Sequence, residues 1–375
     1  MSLVLLGIGS ATPPRKIAQA DAARLAIDFA NAVPGHEKSL AAIYRQTRIQ
    51  TRGSVLLEDP GEESFQQSFF PPANGAPTAG PTTAARMARY ADEAGGLAVA
   101  AGRHALENAG IDAASITHLV TCSCTGFSNP GVDMELVAAL GLPMDLSRTH
   151  VGFMGCHGAF NAIRVADAFA ATAPDAVVLV CCVELCSLHF QYGSRSDSVV
   201  ANSIFADGAA AVVGVGADHP RAGDGGWRLD RQWSRILPDS TGEMGWIIGD
   251  HGFEMNLSAR VPAVISQGIR GIVEAALAED GLSRDDVTTW AVHPGGPRVI
   301  SQVQEALGLD DDAVAMSRTV LAAHGNMSSA TILFILERLF RATAAGPCVA
   351  LAFGPGLTVE LAAFSHGHPR PPQPR

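Results

Sequence analysis

Lysine is nearly missing from this chain: Lys16 and Lys38 are the only two, and charged side chains of every kind make up 17% of its 375 residues. With 37 acids against 26 bases the formal charge is -11, and no basic tract occurs that could track a phosphate backbone. Nucleic acid is excluded as a partner, and any site for phosphate groups has to be built mainly from arginine. Also absent is a run of about 18 apolar residues, or a charged segment opening into a shorter one, so neither a membrane span nor a secretory leader is expected. The chain reads as cytoplasmic. No C-x-x-C pair is present, and the seven cysteines lie mostly in apolar runs such as Val178 to Leu185, which marks them as reduced thiols. Cys182, Cys186 and His189 have ligand-like separations. A strand running into a turn would scatter them over both faces, and no metal site is expected.

What is plentiful is apolar: 47% of the residues are hydrophobic, enough for a large buried core. Short strand-like runs alternate with helical stretches, which predicts an α/β protein. In a first half, strands are expected over Ile116 to Cys122, Ala176 to Val183 and Ala209 to Val215, with a helix over Cys156 to Ala171. A Gly, Asp and Pro cluster follows at Gly216 to Gly226. The pattern then returns, with strands over Thr288 to Val292, Cys348 to Phe353 and Thr358 to Phe364 and a helix over Asn326 to Arg341. In both halves a helix opens after a small glycine-containing turn, GFMGCHGAFNAI and AAHGNMSSATIL, as an internal duplication would produce. The halves divide as 1–220 and 221–366, with 367–375 a proline-rich frayed tail. Phe69 to Pro81 reads as a loop ahead of a helix over Thr83 to Ala109.

Three positions stand out chemically. Cys156, between Gly155 and His157, falls at a predicted helix start, where unpaired N–H groups and the helix dipole favour a thiolate able to attack a thioester. A buried small residue is the plain alternative. His293 ends the strand-like run TTWAVH and is held by the Pro-Gly-Gly-Pro that follows, at a strand end where α/β proteins present reactive groups. Asn326, in HGNMSSA, either caps a helix or donates to an oxyanion. Together they would supply a nucleophile, a base and donors for a developing enolate. Arg45, Arg48 and Arg52 fall within two helical turns and suit the phosphates of a nucleotide tail, or a solvated face. Gly354, Pro355 and Gly356 form a turn whose bare backbone a substrate could approach, or a plain connection.

Read together, GIGSATPP, GCHGAFNAIRVA, VELCSLHF, SIFADGAAA, WAVHPGGP, HGNMSSA and AFGPGLT make the sequence resemble the type III polyketide synthases, the chalcone and stilbene synthase group of the thiolase superfamily. The resemblance spans most of the chain. It implies a homodimer with a five-layered αβαβα core and two pseudo-duplicated halves, the Cys half and the His/Asn half. It implies coenzyme A thioesters as substrates, an acyl-CoA starter and malonyl-CoA, with no permanently bound cofactor and no obligatory acyl carrier protein. Cys156 would carry the acyl chain, His293 would keep it a thiolate, and His293 with Asn326 would stabilise the enolate left by decarboxylation. Phe205 takes the place of the gatekeeping phenylalanine, Met255 that of a second gatekeeping aromatic, and Trp246 that of a small starter-pocket residue. Cys124, Cys186 and His189 fall on cavity-lining positions, and Ser328 and the Gly354 to Gly356 turn join that lining. The second thiol, Cys124, and the turn GCHGA point to a bacterial member making pyrones or resorcinols from fatty acyl-CoA or malonyl-CoA. The rivals are a single-condensation 3-oxoacyl synthase of the same superfamily, a cysteine hydrolase of thioesters, and a non-catalytic acyl-CoA-binding scaffold.

Overall fold

The alternation read from the apolar runs is realised in the computed structural model, which describes residues 3–29, 37–59, 65–73, 78–342 and 346–366. The first half holds β1 (Leu3–Ala11), β2 (Lys16–Ala18), α1 (Gln19–Phe29), α2 (Glu37–Gln46), β3 (Thr51–Gly53), α3 (Thr83–Ala109), β4 (His118–Ser123), α4 (Val132–Leu140), β5 (Ser147–Gly152), α5 (Gly158–Thr172), β6 (Val177–Leu185), α6 (Ser196–Ile204) and β7 (Asp207–Gly216). The second holds β8 (Trp227–Ile236), β9 (Met244–Gly249), β10 (Gly252–Leu257), α7 (Val261–Ala278), β11 (Thr289–Val292), α8 (Pro297–Leu307), α9 (Ala315–His324), α10 (Ala330–Arg341), β12 (Cys348–Gly354) and β13 (Thr358–His366). The expected tail over 367–375 lies outside the described residues.

The duplication is visible in the strand order. One nine-stranded sheet runs β11-β12-β13-β8-β1-β7-β6-β4-β5. With its sheet strands numbered in chain order, the first half reads 3-2-4-5-1 from its free edge and the second 2-3-4-1, which is the same order once the first half's third strand, β5, is left without a counterpart among the described residues. The two half-sheets meet where β1 pairs with β8 through Val4↔Arg228 and Leu5↔Trp227 alone. The halves are therefore joined edge to edge by a two-residue seam rather than being separate sheets.

Three buried clusters account for the layers. Helices α5 and α10 lie in the middle cluster, with Phe160, Ile163, Leu333 and Phe334 packed among residues of both half-sheets. Helix α3 covers the outer face of the first half, and α7 with α8 cover that of the second. The sequence dictates these positions. Helix α10 buries nine of its twelve residues, as a central layer requires. Helix α3 is capped by Thr82 and ended by Gly110 at φ 58, and it rests its alanines directly on β1. A Cβ at Gly9 would lie 2.3 Å from the Ala105 nitrogen, so glycine in β1 permits that approach. Helix α7 is long and apolar enough to cross a membrane by composition, but it buries Ile265, Ile269 and Val273 on one face in the third cluster.

Two predicted helix starts are displaced, and both matter for the site. Helix α5 begins at Gly158 and α10 at Ala330, leaving Cys156 and Asn326 in the preceding turns. Left-handed residues hold those turns open: Gly155 at φ 83 and Ser328 at φ 45.

Candidate active site

Cys156 sits in the turn from β5 to α5, half-buried, and lines an inner chamber of about 30 Å³ with Cys124, Cys186, Phe205, Trp246, Met255, Ser328 and Pro355. Gly155 is fixed there by space as well as by φ, because a Cβ would come within 2.2 Å of Pro355 Cδ. The Gly155 N–H donates to Cys124 Sγ at 2.9 Å, and the Cys124 thiol faces the Gly155 carbonyl at 3.4 Å. Cys124 thus borders the chamber and buttresses the turn that presents Cys156.

Asn326 reaches the same thiol from the other half. Its backbone forms a parallel bridge with Phe205: Asn326 N–H donates to Ile204 O at 2.8 Å, and Ala206 N–H donates to Asn326 O at 2.9 Å. Asn326 Oδ1 accepts the Ser328 N–H at 2.9 Å, which turns the amide N–H side towards sulfur. Ser328 and Asn326 lie beside the Cys156 thiol and favour its ionisation. Burial outweighs them, with Cys124 and Glu184 adding to it, and the thiol is pushed up to about 12. This corrects the expectation of a thiol poised as thiolate by a helix start. Helix α5 begins two residues later, and its dipole acts over the first turn only.

His293 follows β11, its N–H on Leu351 O at 2.9 Å. Its ring is buried and neither nitrogen has a partner among the described residues. Burial, then the neighbouring His157, lowers it to about 3, so it is neutral. His157 is itself buried, its Nδ1 on Asn161 Oδ1 at 2.9 Å. Gly354 makes room for it, since a Cβ there would lie 2.0 Å from the imidazole. Pro355 lines the chamber, and Gly356, at φ 70, completes the turn into β13.

The wall formed by Cys186, Phe205, Trp246 and Met255 is shared with an outer cavity of about 110 Å³, lined by apolar side chains including Leu25, Phe29, Leu56 and Phe70. Trp246 and Met255 are cross-strand partners in the β9–β10 hairpin, and Trp246 Nε1 donates to Cys124 O at 2.8 Å. His189 borders this cavity. It accepts the Phe253 N–H at Nδ1 (2.9 Å), so Nε2 carries the proton and donates to Thr125 O at 2.7 Å. Burial lowers His189 to about 3, which leaves it a neutral strut. Among the described residues no group of His, Cys, Asp or Glu is arranged to hold a metal.

The three arginines do not share a face. Helix α2 ends at Gln46, Arg45 and Arg48 are exposed, and Arg52 turns inward from β3, its Nη1 on Asn202 O (2.7 Å) and Phe205 O (2.8 Å). Arg52 is spent on carbonyls rather than extended towards a phosphate. Sequence reasoning also passed over Glu184. Its buried carboxylate accepts the Cys124 N–H at 3.0 Å and the Thr125 hydroxyl at 2.7 Å, and pairs with the Ser329 hydroxyl. A single acid inside the wholly buried run of β6 was the available signal.

A two-half α/β core in which a cysteine turn meets an asparagine turn beside a small chamber defines a thiolase-like condensing enzyme. Comparison with known proteins makes this specific: the patterns of the chalcone and stilbene synthases, N-terminal and C-terminal domains, match residues 2–219 and 228–365. The chain belongs to that family and is a type III polyketide synthase, an acyltransferase that uses coenzyme A thioesters. It is 36% identical over 365 residues to the alpha-pyrone synthesis polyketide synthase-like Pks18 of Mycobacterium tuberculosis, covering 95% of this chain and 89% of that one. With 1,3,6,8-tetrahydroxynaphthalene synthase of Streptomyces peucetius it shares 34% over 358 residues, covering 94% and 90%. The crystal structure of PKS-I from the brown alga Ectocarpus siliculosus superposes with a TM-score of 0.89 at 31% identity, covering 97% of this chain and 98% of that one.

Proposed function

We propose that Cys156 carries the growing chain, with His293 and Asn326 as its partners. In this reading His293 accepts the Cys156 proton as sulfur attacks an acyl-CoA carbonyl, and the coenzyme A thiolate leaves. Malonyl-CoA then loses carbon dioxide, and its enolate oxygen is met by the Asn326 amide and the His293 ring. The enolate carbon attacks the acyl-cysteine carbonyl, releasing the Cys156 thiolate for the next round. The observation that carries the assignment is the convergence of Asn326 and Ser328 on Cys156, one of three cysteines that line the inner chamber and the one beside which both of these groups lie.

Fatty acyl-CoA is the starter favoured here, with malonyl-CoA the second candidate, and a pyrone or resorcinol the product. The apolar outer cavity behind Cys186, Trp246 and Met255 supports an alkyl chain. Exposed Arg45 and Arg48 are the arginines left to meet the coenzyme A phosphates. A homodimer is proposed because β5 ends the sheet as an unpaired edge. Seven free cysteines suit a reducing cytoplasm, and the family matches support a division near residue 220.

The test is incubation with malonyl-CoA, alone and with acyl-CoAs of graded length, followed by mass analysis. Cyclised products with release of carbon dioxide are expected. One linear β-ketoacyl product would indicate a single-condensation synthase, and free acid without decarboxylation a hydrolase.

A further inference from the structure

Arg52 is a buried cation that forms no ion pair among the described residues. Asp207, the acid in its field, places its own carboxylate on the Val55 and Ser187 N–H groups and the Ser187 hydroxyl. The guanidinium instead lies 5.5 Å from the Tyr44 ring centroid and gives Nη1 to Asn202 O and Phe205 O, carbonyls at the C-terminal end of α6. A cation at a helix C-terminus satisfies orphan carbonyls and opposes the dipole, and its hydrogen bonds are of the strong, charge-assisted kind. The stem of Arg52 is equally constrained. Gly325, at φ 74, packs on it so closely that a Cβ would lie 3.1 Å from Arg52 Cγ and 3.0 Å from Ile204 O. Gly325 directly precedes Asn326, whose backbone is bonded to residues 204 and 206 on either side of Phe205.

We propose that Arg52 is a positioning residue that locks Phe205, in the wall between the two cavities, to the turn carrying Asn326. The inference rests on the assigned roles of Cys156, His293 and Asn326. An enolate made beside Asn326 condenses only if the malonyl group enters past Phe205 in register with the acyl-cysteine. With the clamp loosened, decarboxylation continues while fewer enolates find the acyl carbon, and each stray one takes up a proton and is lost as acetyl-CoA.

The experiment uses the full chain as wild type, R52M and R52K, with malonyl-CoA and one accepted acyl-CoA, and reads carbon dioxide released per product formed, kcat and KM for malonyl-CoA, and melting temperature. In R52M the ratio of carbon dioxide to product is expected to rise about tenfold, the scale on which small misplacements act, with kcat for product falling more than KM moves. R52K, which keeps the charge without the planar fork, should recover part of the coupling. A folded R52M with the wild-type ratio overturns the proposal, as does loss of both readouts in equal proportion with a lowered melting temperature. Should R52M not fold, R52K decides alone: a raised ratio supports the clamp and an unchanged one overturns it. Failure of the wild type to release carbon dioxide would defeat the polyketide reading itself, and is seen before any substitution is made.

Discussion

Replacing Trp246 by alanine removes the partition between the two cavities. The inner chamber, about 30 Å³, has room for about two water molecules by this measure. On the proposed assignment, a chain growing on Cys156 has to pass the Trp246 and Met255 wall to lengthen. Trp246 is half-buried with one side on open space, so the truncation costs less than a core tryptophan would, about 2 kcal/mol. Loss of the indole donor from Cys124 O adds about 1 kcal/mol. The sum corresponds to a melting temperature lowered by about 5 °C in a chain of this size, which leaves the protein folded for assay. Joining the chambers should shift products towards longer starters or at least one further extension, with relative kcat/KM for neighbouring chain lengths changing by about tenfold or more. Product mass analysis with graded acyl-CoAs measures this. A folded W246A with an unchanged product series and starter preference would refute the view that this wall limits chain length.

Other consequences follow from the same geometry. With Cys156 raised to about 12 and His293 lowered to about 3, both are neutral in the resting enzyme. Alkylation of Cys156 by iodoacetamide should therefore rise about tenfold per pH unit between pH 6 and 9, whereas a plateau in that range would indicate a preformed thiolate–imidazolium pair. Gly354→Ala forces the His157 ring off Asn161 and should destabilise by about 1 to 3 kcal/mol, with stability regained in the G354A/H157A double variant. Equal melting temperatures for G354A and wild type would contradict the close contact. Cys124→Ser should alter the product spectrum more than it slows turnover, since serine can still accept the Gly155 N–H. Complete inactivation would make Cys124 part of the chemistry.

Much of the fold was legible because the apolar runs are long and punctuated: helix α3 matches its predicted bounds, and the strands fall within a few residues of expectation. The displaced starts of α5 and α10 were not, since a left-handed serine at 328 has no compositional mark and Gly155 could equally have capped a helix. The duplication was legible as repeated order, while its seam was invisible because Val4 and Leu5 look like any strand residues. For the site, Cys156 and Asn326 could be paired only through the family motifs; nothing in their local sequence says that they meet across the two halves. Arg52 was misread because spacing alone carried the argument. The chain leaves its helix at Gln46, and the guanidinium turns inward to two carbonyls that sequence cannot show.

The central claim is that Cys156 carries the acyl chain, and the most direct test is to trap it. After brief incubation with an acyl-CoA and no malonyl-CoA, intact and peptide mass measurement should find one acyl group, on the peptide containing Cys156, in wild type. The C156A variant should carry none and form no polyketide. Acylation on Cys124 in place of Cys156, or product formation by C156A at near wild-type rate, would contradict the account.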